Sequence, residues 1–318
     1  MWGMEPGWVV VDVETSGMVP ARDRVLSVAA LALGPGGEVV DEFCTLLNPG
    51  VDPGPVHVHG LTPALLAGRP RYADVAEPLG RVLAGRRLVA HNAAFDVSFL
   101  VAEGRRAGAE PPIDAYLCTL DLAGRLLLST PDLKLGTLAA HFGVEQHHAH
   151  DARDDALVLA GGLGGLLGRA EAKGVRPVLR RPAEMEPDPR TGMLVSRAWA
   201  RALAAPRPWR PAGRYRRGGP LVQGMEVVFT QDVDRDPEEL VGPLVDAWLY
   251  VADRIGSRTS LAVCDAPTAV RGRAAFARRR GLELVGTGQL VELLGAVEPG
   301  RPVAGAGPAV DEAQGSLF

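Results

Sequence analysis

Apolar residues in this chain repeat at two periods, and the change from one to the other divides it into elements. Trp8-Val9-Val10-Val11 is an unbroken apolar run with the β-branched content of a strand buried on both faces. That stretch runs to Gly17, and two further β-rich runs follow, Arg24–Leu33 and Glu38–Leu47, separated by Gly34-Pro35-Gly36-Gly37. So short a turn predicts an antiparallel meander with the first strand. The pattern then becomes helical. Thr62 and Pro63 supply an N-cap and a first-turn proline for a short helix, and Val75, Ala76, Leu79, Val82 and Leu83 share one face over Tyr72–Ala84. Arg87–Ala90 reads as a short buried strand that leads into a helix carrying Phe95, Phe99 and Leu100 at helical spacing. Further helices are expected over Leu117–Leu128, over Leu135–Phe142, and from within His147–Asp155 through Leu166. Strands first, then strands alternating with helices, predicts an α/β fold built on a mixed sheet flanked by helices.

From Glu171 to Pro220 the pattern dissolves into repeated Arg and Pro, with one helical piece over Leu194–Ala204. Most of this stretch is expected to be extended and semi-flexible. Periodicity returns with a strand at Glu226–Thr230, a helix over Pro237–Trp248 interrupted near Gly242-Pro243, and strands at Leu249–Ile255 and Leu261–Asp265. A helix over Val270–Arg280, a strand at Leu282–Val285 and a helix over Gln289–Gly295 complete it. That order predicts a small parallel sheet with helices around it. The expected organisation is therefore a first domain over 1–170, a linker over 171–220, a second domain over 221–297 and a tail over 298–318.

Charge sharpens this division. Residues 1–170 carry a net charge of −7, residues 171–219 carry +8 and residues 220–318 carry −5. A basic segment between two acidic blocks suits a tether that also touches polyanions. Three scattered cysteines, Cys44, Cys118 and Cys264, fit neither a disulfide framework nor a zinc ribbon and point to a reducing, cytoplasmic setting. The longest uncharged apolar run, Ala156–Gly168, is too short to span a bilayer, and no export signal or membrane association is expected. Lys134 and Lys173 are the only lysines beside 32 arginines.

The candidate chemistry begins where the first strand turns acidic. Asp12 and Glu14, two apart, share a face of that strand, and carboxylates aimed at one point repel unless a cation lies between them. Asp96 opens a helix directly after the Arg87–Ala90 strand, and Asp155 lies near the start of the last helix of the first domain. Four carboxylates can hold two divalent cations, Mg2+ or Mn2+, which stabilise the attacking and leaving oxygens of a phosphodiester. His150, five positions before Asp155, is placed about one and a half helical turns away if the helix has begun, within reach as a general base. The alternative for Asp96 and Asp155 is that of acids favouring a helix dipole. For His147, His148 and His150 it is a zinc cluster. Cys118 reads as a buried thiol without chemistry.

Three ordered motifs, Val11-Asp12-Val13-Glu14-Thr15-Ser16-Gly17, His91-Asn92-Ala93-Ala94-Phe95-Asp96, and His150 followed by Asp155, resemble those of the DEDDh exonucleases, in particular the proofreading epsilon subunit of bacterial DNA polymerase III. His59-Gly60-Leu61-Thr62 and Leu133–Gly143 match further segments of that family. The resemblance covers residues 8–168. It implies a ribonuclease-H-like fold, 3′-to-5′ hydrolysis that releases nucleoside monophosphates, Asp12, Glu14, Asp96 and Asp155 as ligands of two metal ions, and His150 as base. It further implies that Thr15, Ser16 and Gly17 lie near the terminal nucleotide, with Asn92 and Phe95 supporting the cleft.

The second domain, opening with Gly224-Met225-Glu226-Val227-Val228-Phe229-Thr230, resembles a BRCT domain, in which Thr230 and Arg273 would meet a phosphate. Trp248, Leu249 and Tyr250 stand where that family usually carries a glycine pair. The last five residues, with Gln314, Leu317 and Phe318, resemble the short peptide by which replication proteins bind the sliding clamp. The expected function is 3′-to-5′ exonuclease action on single-stranded or 3′-end DNA in replication proofreading or repair, with a sliding clamp or DNA polymerase as partner. An RNA-trimming exonuclease is the alternative substrate reading. An adaptor with a vestigial nuclease is the alternative class.

Overall fold

The computed structural model describes residues 7–266 and 272–303. The chain divides into two compact units between Arg197 and Ala198. The first contains a six-stranded sheet of β1 (Trp8–Thr15), β2 (Val25–Leu33), β3 (Val39–Leu46), β4 (Arg87–Ala90), β5 (Tyr116–Cys118) and β6 (Leu179–Arg180), in the order β3-β2-β1-β4-β5-β6. The expected meander is present, since β2 runs antiparallel to both β1 and β3. β4 and β5 run parallel to β1, and β6 returns antiparallel on the edge. The helices are α1 (Val56–His59), α2 (Pro63–Leu66), α3 (Tyr72–Leu83), α4 (Ala94–Ala107), α5 (Thr119–Arg125), α6 (Leu135–His141) and α7 (Ala152–Ala172).

Parity along β1 explains why its valines are continuous. Val9, Val11 and Val13 bury against Val75 and Leu79 of α3 and Phe99 and Leu100 of α4. Trp8 and Val10 bury on the opposite face with Leu122 of α5 and Leu159 and Leu163 of α7. Both faces are covered, so neither parity tolerates a polar residue until the strand leaves the core. Asp12 and Glu14 carry the parity of Val10 and point to the side of the sheet that α7 covers.

Two expectations for this unit change. The stretch Leu117–Leu128 is not one helix, because Tyr116–Cys118 pairs with β4 before α5 begins. A three-residue apolar run has no period of its own, and the open sheet edge beside β4 decides its state. The stretch 171–220 is not an extended linker. α7 continues to Ala172, β6 joins the sheet, and β7 (Met185–Pro187) pairs with β8 (Leu194–Ser196) as a hairpin. Leu194 is buried in the core of the first unit, which the Arg/Pro composition concealed.

The second unit, from Ala198, holds all but the first residue of α8 (Arg197–Ala204), and contains β9 (Glu226–Phe229), α9 (Glu238–Asp246), β10 (Tyr250–Ala252), β11 (Thr259–Val263), α10 (Gly272–Arg279), β12 (Glu283–Val285) and α11 (Thr287–Leu294). Its four strands form the expected parallel sheet, in the order β10-β9-β11-β12. Ala202, Tyr215 and Leu221 belong to its core, so the rest of the expected linker is structured here as well. α9 is continuous through Pro243 rather than broken there. Trp248 adopts a left-handed φ of 61°, the conformation that a glycine would take at lower cost.

Candidate active site

Three separate elements bring the acids together. Asp12 and Glu14 leave β1 at its C-terminal end, as a bulge between Glu14 and Thr15 breaks the register with β2. β4 runs parallel beside β1, so the chain leaving it emerges at the same end of the sheet, and one left-handed residue, Asn92 with φ 68°, turns it into α4. Asp96 in the first turn of α4 is 3% exposed, and its Oδ1 accepts from Val13 N at 3.2 Å. Asp155 lies in the first turn of α7, whose N-cap is Asp151; the Asp151 carboxylate accepts from Arg153 N and Asp154 N.

These groups line a cleft of about 700 Å³ with Thr15, Gly17, Met18, His59, His91, Asn92, Phe95, Lys134, Gln146 and His150. Lys134 is the one lysine or arginine among the lining residues. The electrostatic consequence is severe. Burial, then the charges of Asp96, Asp155, Glu14 and Asp151, hold the Asp12 carboxyl well above the usual carboxylate range. Burial and the charges of Asp155 and Asp151 push Glu14 up to about 8. Asp96 is likewise raised by burial, against the backbone hydrogen bonds it accepts. Asp155 is raised by burial while Gln146 and His150 N oppose the shift. Carboxyls so placed are poor anions on their own and good ligands for a cation that replaces the missing positive charge.

His150 reaches this centre by a different route from the expected one. α7 begins only at Ala152, and His150 sits in the preceding turn with φ 65° rather than on the helix. Its backbone N donates to Asp155 Oδ2 at 3.1 Å, which orients Asp155 and leaves the exposed imidazole at the cleft. Glu14, His150 and Asp155 can each offer one ligand atom, all within 4.8 Å of one another.

Of the other expected residues, Thr15 is buried with its hydroxyl donating to Gly17 O at 2.6 Å. Phe95 is half-buried against Phe99, ring centroids 4.8 Å apart, and also faces the cleft. Ser16 is not among the lining residues. Its Oγ accepts from Arg24 N at 2.9 Å and so closes the turn after β1. His59 packs the loop: Leu61 N donates to Nδ1 at 3.0 Å and Nε2 lies 3.2 Å from Pro53 O, which fixes a neutral tautomer. Burial pushes the Cys118 thiol up to about 12, in keeping with an inert role. In the second unit, Thr230 is buried and Arg273 Nη1 donates to the carbonyl of its neighbour Phe229 at 3.3 Å, at the end of β9. Gln314, Leu317 and Phe318 lie outside the described residues.

Three contributors escaped sequence reasoning. Gln146 Nε2 donates to Asp155 Oδ1 at 2.6 Å. Asp151 adds its charge to both Asp12 and Glu14. Gly54, with φ 74°, lies so close to the turn after β1 that a Cβ there would be 2.1 Å from Ser16 O. Only Asp151 carried a local signal, that of a helix N-cap.

The model of the RNase T exonuclease family matches residues 9–161. The epsilon subunit of DNA polymerase III from Treponema pallidum is 32% identical over 151 residues, which cover 46% of this chain and 70% of that protein. The chain belongs to this exonuclease family. A Mycobacterium tuberculosis protein named for bifunctional exonuclease and endonuclease activity is 36% identical over 182 residues, 54% of this chain and 28% of that protein. The PolC-type DNA polymerase III of Bacillus subtilis is 33% identical over 149 residues, 45% of this chain and 10% of the polymerase. The chain thus spans about a quarter of the mycobacterial relative and a tenth of PolC. Among solved structures, Escherichia coli exonuclease I with a dT13 oligonucleotide has a TM-score of 0.46 at 22% identity, over 52% of this chain and 42% of that one.

The residues present fit a divalent metal centre. The donor set is four carboxylates and one imidazole, matched to hard cations, and the raised carboxyls of Asp12 and Glu14 record a local deficit of positive charge. Among the described residues, no helix is long and apolar enough to cross a membrane.

Proposed function

We propose that this exonuclease hydrolyses the terminal phosphodiester at the 3′ end of DNA and releases nucleoside 5′-monophosphates. The observation that supports it most is the convergence of Asp12, Glu14, Asp96 and Asp155 from three elements into one cleft, with His150 at its edge. Asp12, Glu14, Asp96 and Asp155 would hold two divalent cations, Mg2+ or Mn2+. When bound, such ions stabilise negative charge on the attacking and leaving oxygens. The imidazole of His150 takes one proton from the attacking water as its oxygen bonds to phosphorus. The P–O3′ bond breaks, O3′ takes a proton from solvent, and the shortened strand keeps a free 3′-hydroxyl. Thr15, Gly17, Asn92 and Phe95 frame the terminal nucleotide: Phe95 offers a ring face to its base, and Asn92 offers donors and an acceptor. Ser16 supports this frame from behind through Arg24.

The second unit and the tail are assigned to recruitment. The parallel sheet of the second unit and the bond from Arg273 to Phe229 O, next to Thr230, support a BRCT-like docking module, and Gln314, Leu317 and Phe318 supply the chemistry of a clamp-binding peptide. These assignments suit a cytoplasmic enzyme of replication proofreading or repair.

The deciding experiment compares 3′-labelled with 5′-labelled single-stranded DNA in Mg2+. Immediate release of labelled monophosphate from the 3′-labelled strand, abolished by EDTA, by Asp12→Ala and by Asp155→Ala, is expected. Undiminished cleavage in either variant refutes the two-metal assignment, and faster digestion of an RNA of equal sequence transfers the activity to RNA trimming.

A further inference from the structure

The family match ends at residue 161, yet the β7–β8 hairpin beyond it packs on the loop that follows β1. It is firmly built. Asp188 Oδ1 accepts from Arg190 N at 2.9 Å, from Thr191 N at 3.0 Å and from Thr191 Oγ1 at 3.2 Å, and the backbone closes with Gly192 N to Asp188 O at 2.7 Å. Its base is seated in the first unit. Leu194 N donates to Ser98 Oγ of α4 at 2.8 Å, and the Tyr116 hydroxyl meets Met185 Sδ at 3.2 Å.

The tip holds a loop. Ala21 N donates to Thr191 O at 3.1 Å, and Gly192, at φ 75°, approaches so closely that a Cβ there would lie 2.6 Å from Ala21 N. Ala21 belongs to the segment between β1 and β2, which is internally tied by Val19 N to Asp23 Oδ2 at 2.8 Å and by Asp23 N to Val19 O at 2.8 Å. Its opposite side is held by α4, where Arg106 donates to Pro20 O. So clamped, the segment carries Gly17 and Met18 at the cleft, with Met18 70% exposed. Met18 is the most exposed large hydrophobic side chain among the described residues, and the constraints on its loop fix where it stands.

We propose that the hairpin 185–196 is a positioning element for substrate binding: through Thr191 and Gly192 it sets the loop that presents Met18 to the base of a nucleotide in the cleft. This rests on the nucleic-acid reading of the cleft. It makes the exonuclease of this chain depend on residues beyond the family's own boundary. The hairpin's seats are Ala21 of the β1–β2 loop, Ser98 of α4 and Tyr116 of β5, so its influence falls on binding of the strand rather than on the hydrolytic step.

The test uses the full chain, Mg2+ and a single-stranded oligonucleotide, with thermal melting to monitor folding. Gly192→Val and Asp188→Ala are each expected to raise KM at least fivefold with kcat within twofold. Asp188→Asn, which retains a side-chain oxygen acceptor, is expected to restore KM. Met18→Ala is expected to raise KM about fivefold in the parent, and less than twofold further in the Asp188→Ala background, since a residue already misplaced has little left to lose. Should Gly192→Val fail to fold, Asp188→Ala and the Met18 pair decide alone. KM unchanged in a folded Asp188→Ala chain overturns the proposal, as does a full Met18→Ala effect in that background. An unmodified chain inactive on the oligonucleotide removes both this proposal and the proposed function, whereas an active one with unaffected variants removes this proposal alone.

Discussion

Neutralising Glu14 should stabilise the metal-free protein, and more so as the pH rises. The sign follows from linkage. Glu14 has a folded-state pKa of about 8 against an ordinary value of 4.5, so between those values the folded chain binds the proton that the unfolded chain has already released. Stability therefore falls as pH rises from about 4.5 to about 8, and the penalty is complete above that. At about 1.36 kcal/mol per pKa unit, the penalty is about 2 kcal/mol at pH 6 and nearly 5 kcal/mol at pH 9. Glu14 is partly open to water, which screens its neighbours, and halving the difference gives about 1.5 kcal/mol between pH 6 and pH 9. For a unit of this size that is a fall of about 3–6 °C in Tm. The assay is thermal melting of the unmodified chain and of Glu14→Gln in EDTA at both pH values. The unmodified chain should lose about 3–6 °C more than the variant on going to pH 9, and excess Mg2+ or Mn2+ should remove most of that difference by supplying the missing charge. An equal loss in both chains would refute the reasoning, because the raised carboxyl would then carry no cost.

Other residues give sharp tests. Lys134→Met should raise KM for single-stranded DNA about tenfold with kcat nearly unchanged, and should lower the slope of log KM against log salt by about 0.7, the signature of one lost phosphate contact; an unchanged slope would remove Lys134 from the strand's path. Gly54→Ala forces a Cβ to within 2.1 Å of Ser16 O, and it should destabilise the first unit by about 2–3 kcal/mol and lower kcat/KM by displacing the turn after Glu14; denaturant melts and initial rates check both. Arg24→Ala strips the two-point contact at 2.6 and 2.8 Å from the 1%-exposed Glu103 carboxylate, and it should cost about 3–5 kcal/mol, measured in urea.

The acids of this site are legible in the sequence for two reasons: Asp12 and Glu14 interrupt a buried apolar strand, and Asp96 and Asp155 fall in the first turns of helices. An Asp-x-Glu that ends three buried valines violates the apolar parity of β1, and the violation is costly: burial and neighbouring acids push the carboxyls of Asp12 and Glu14 up. The same parity argument assigns both residues to the side of α7, where Asp155 lies. Spacing points to His150 as well, but for an incorrect cause. A helix start one residue earlier or later would carry its side chain elsewhere, and a single left-handed φ, not helical pitch, brings it to Asp155. What stays hidden has a common origin. Gln146, Gly54 and the hairpin around Asp188 act across long sequence separations, through one hydrogen bond or one close approach, and no local pattern marks a partner that is remote in the chain. Composition misleads for a related reason: repeated Arg and Pro describe the exposed side of 171–220, while Leu194, Ala202 and Tyr215, too sparse to form a period, bury it. The acids of the cleft are therefore written locally and their support is written at a distance. Substitutions remote from the acids should accordingly alter strand binding well before they alter the hydrolytic step.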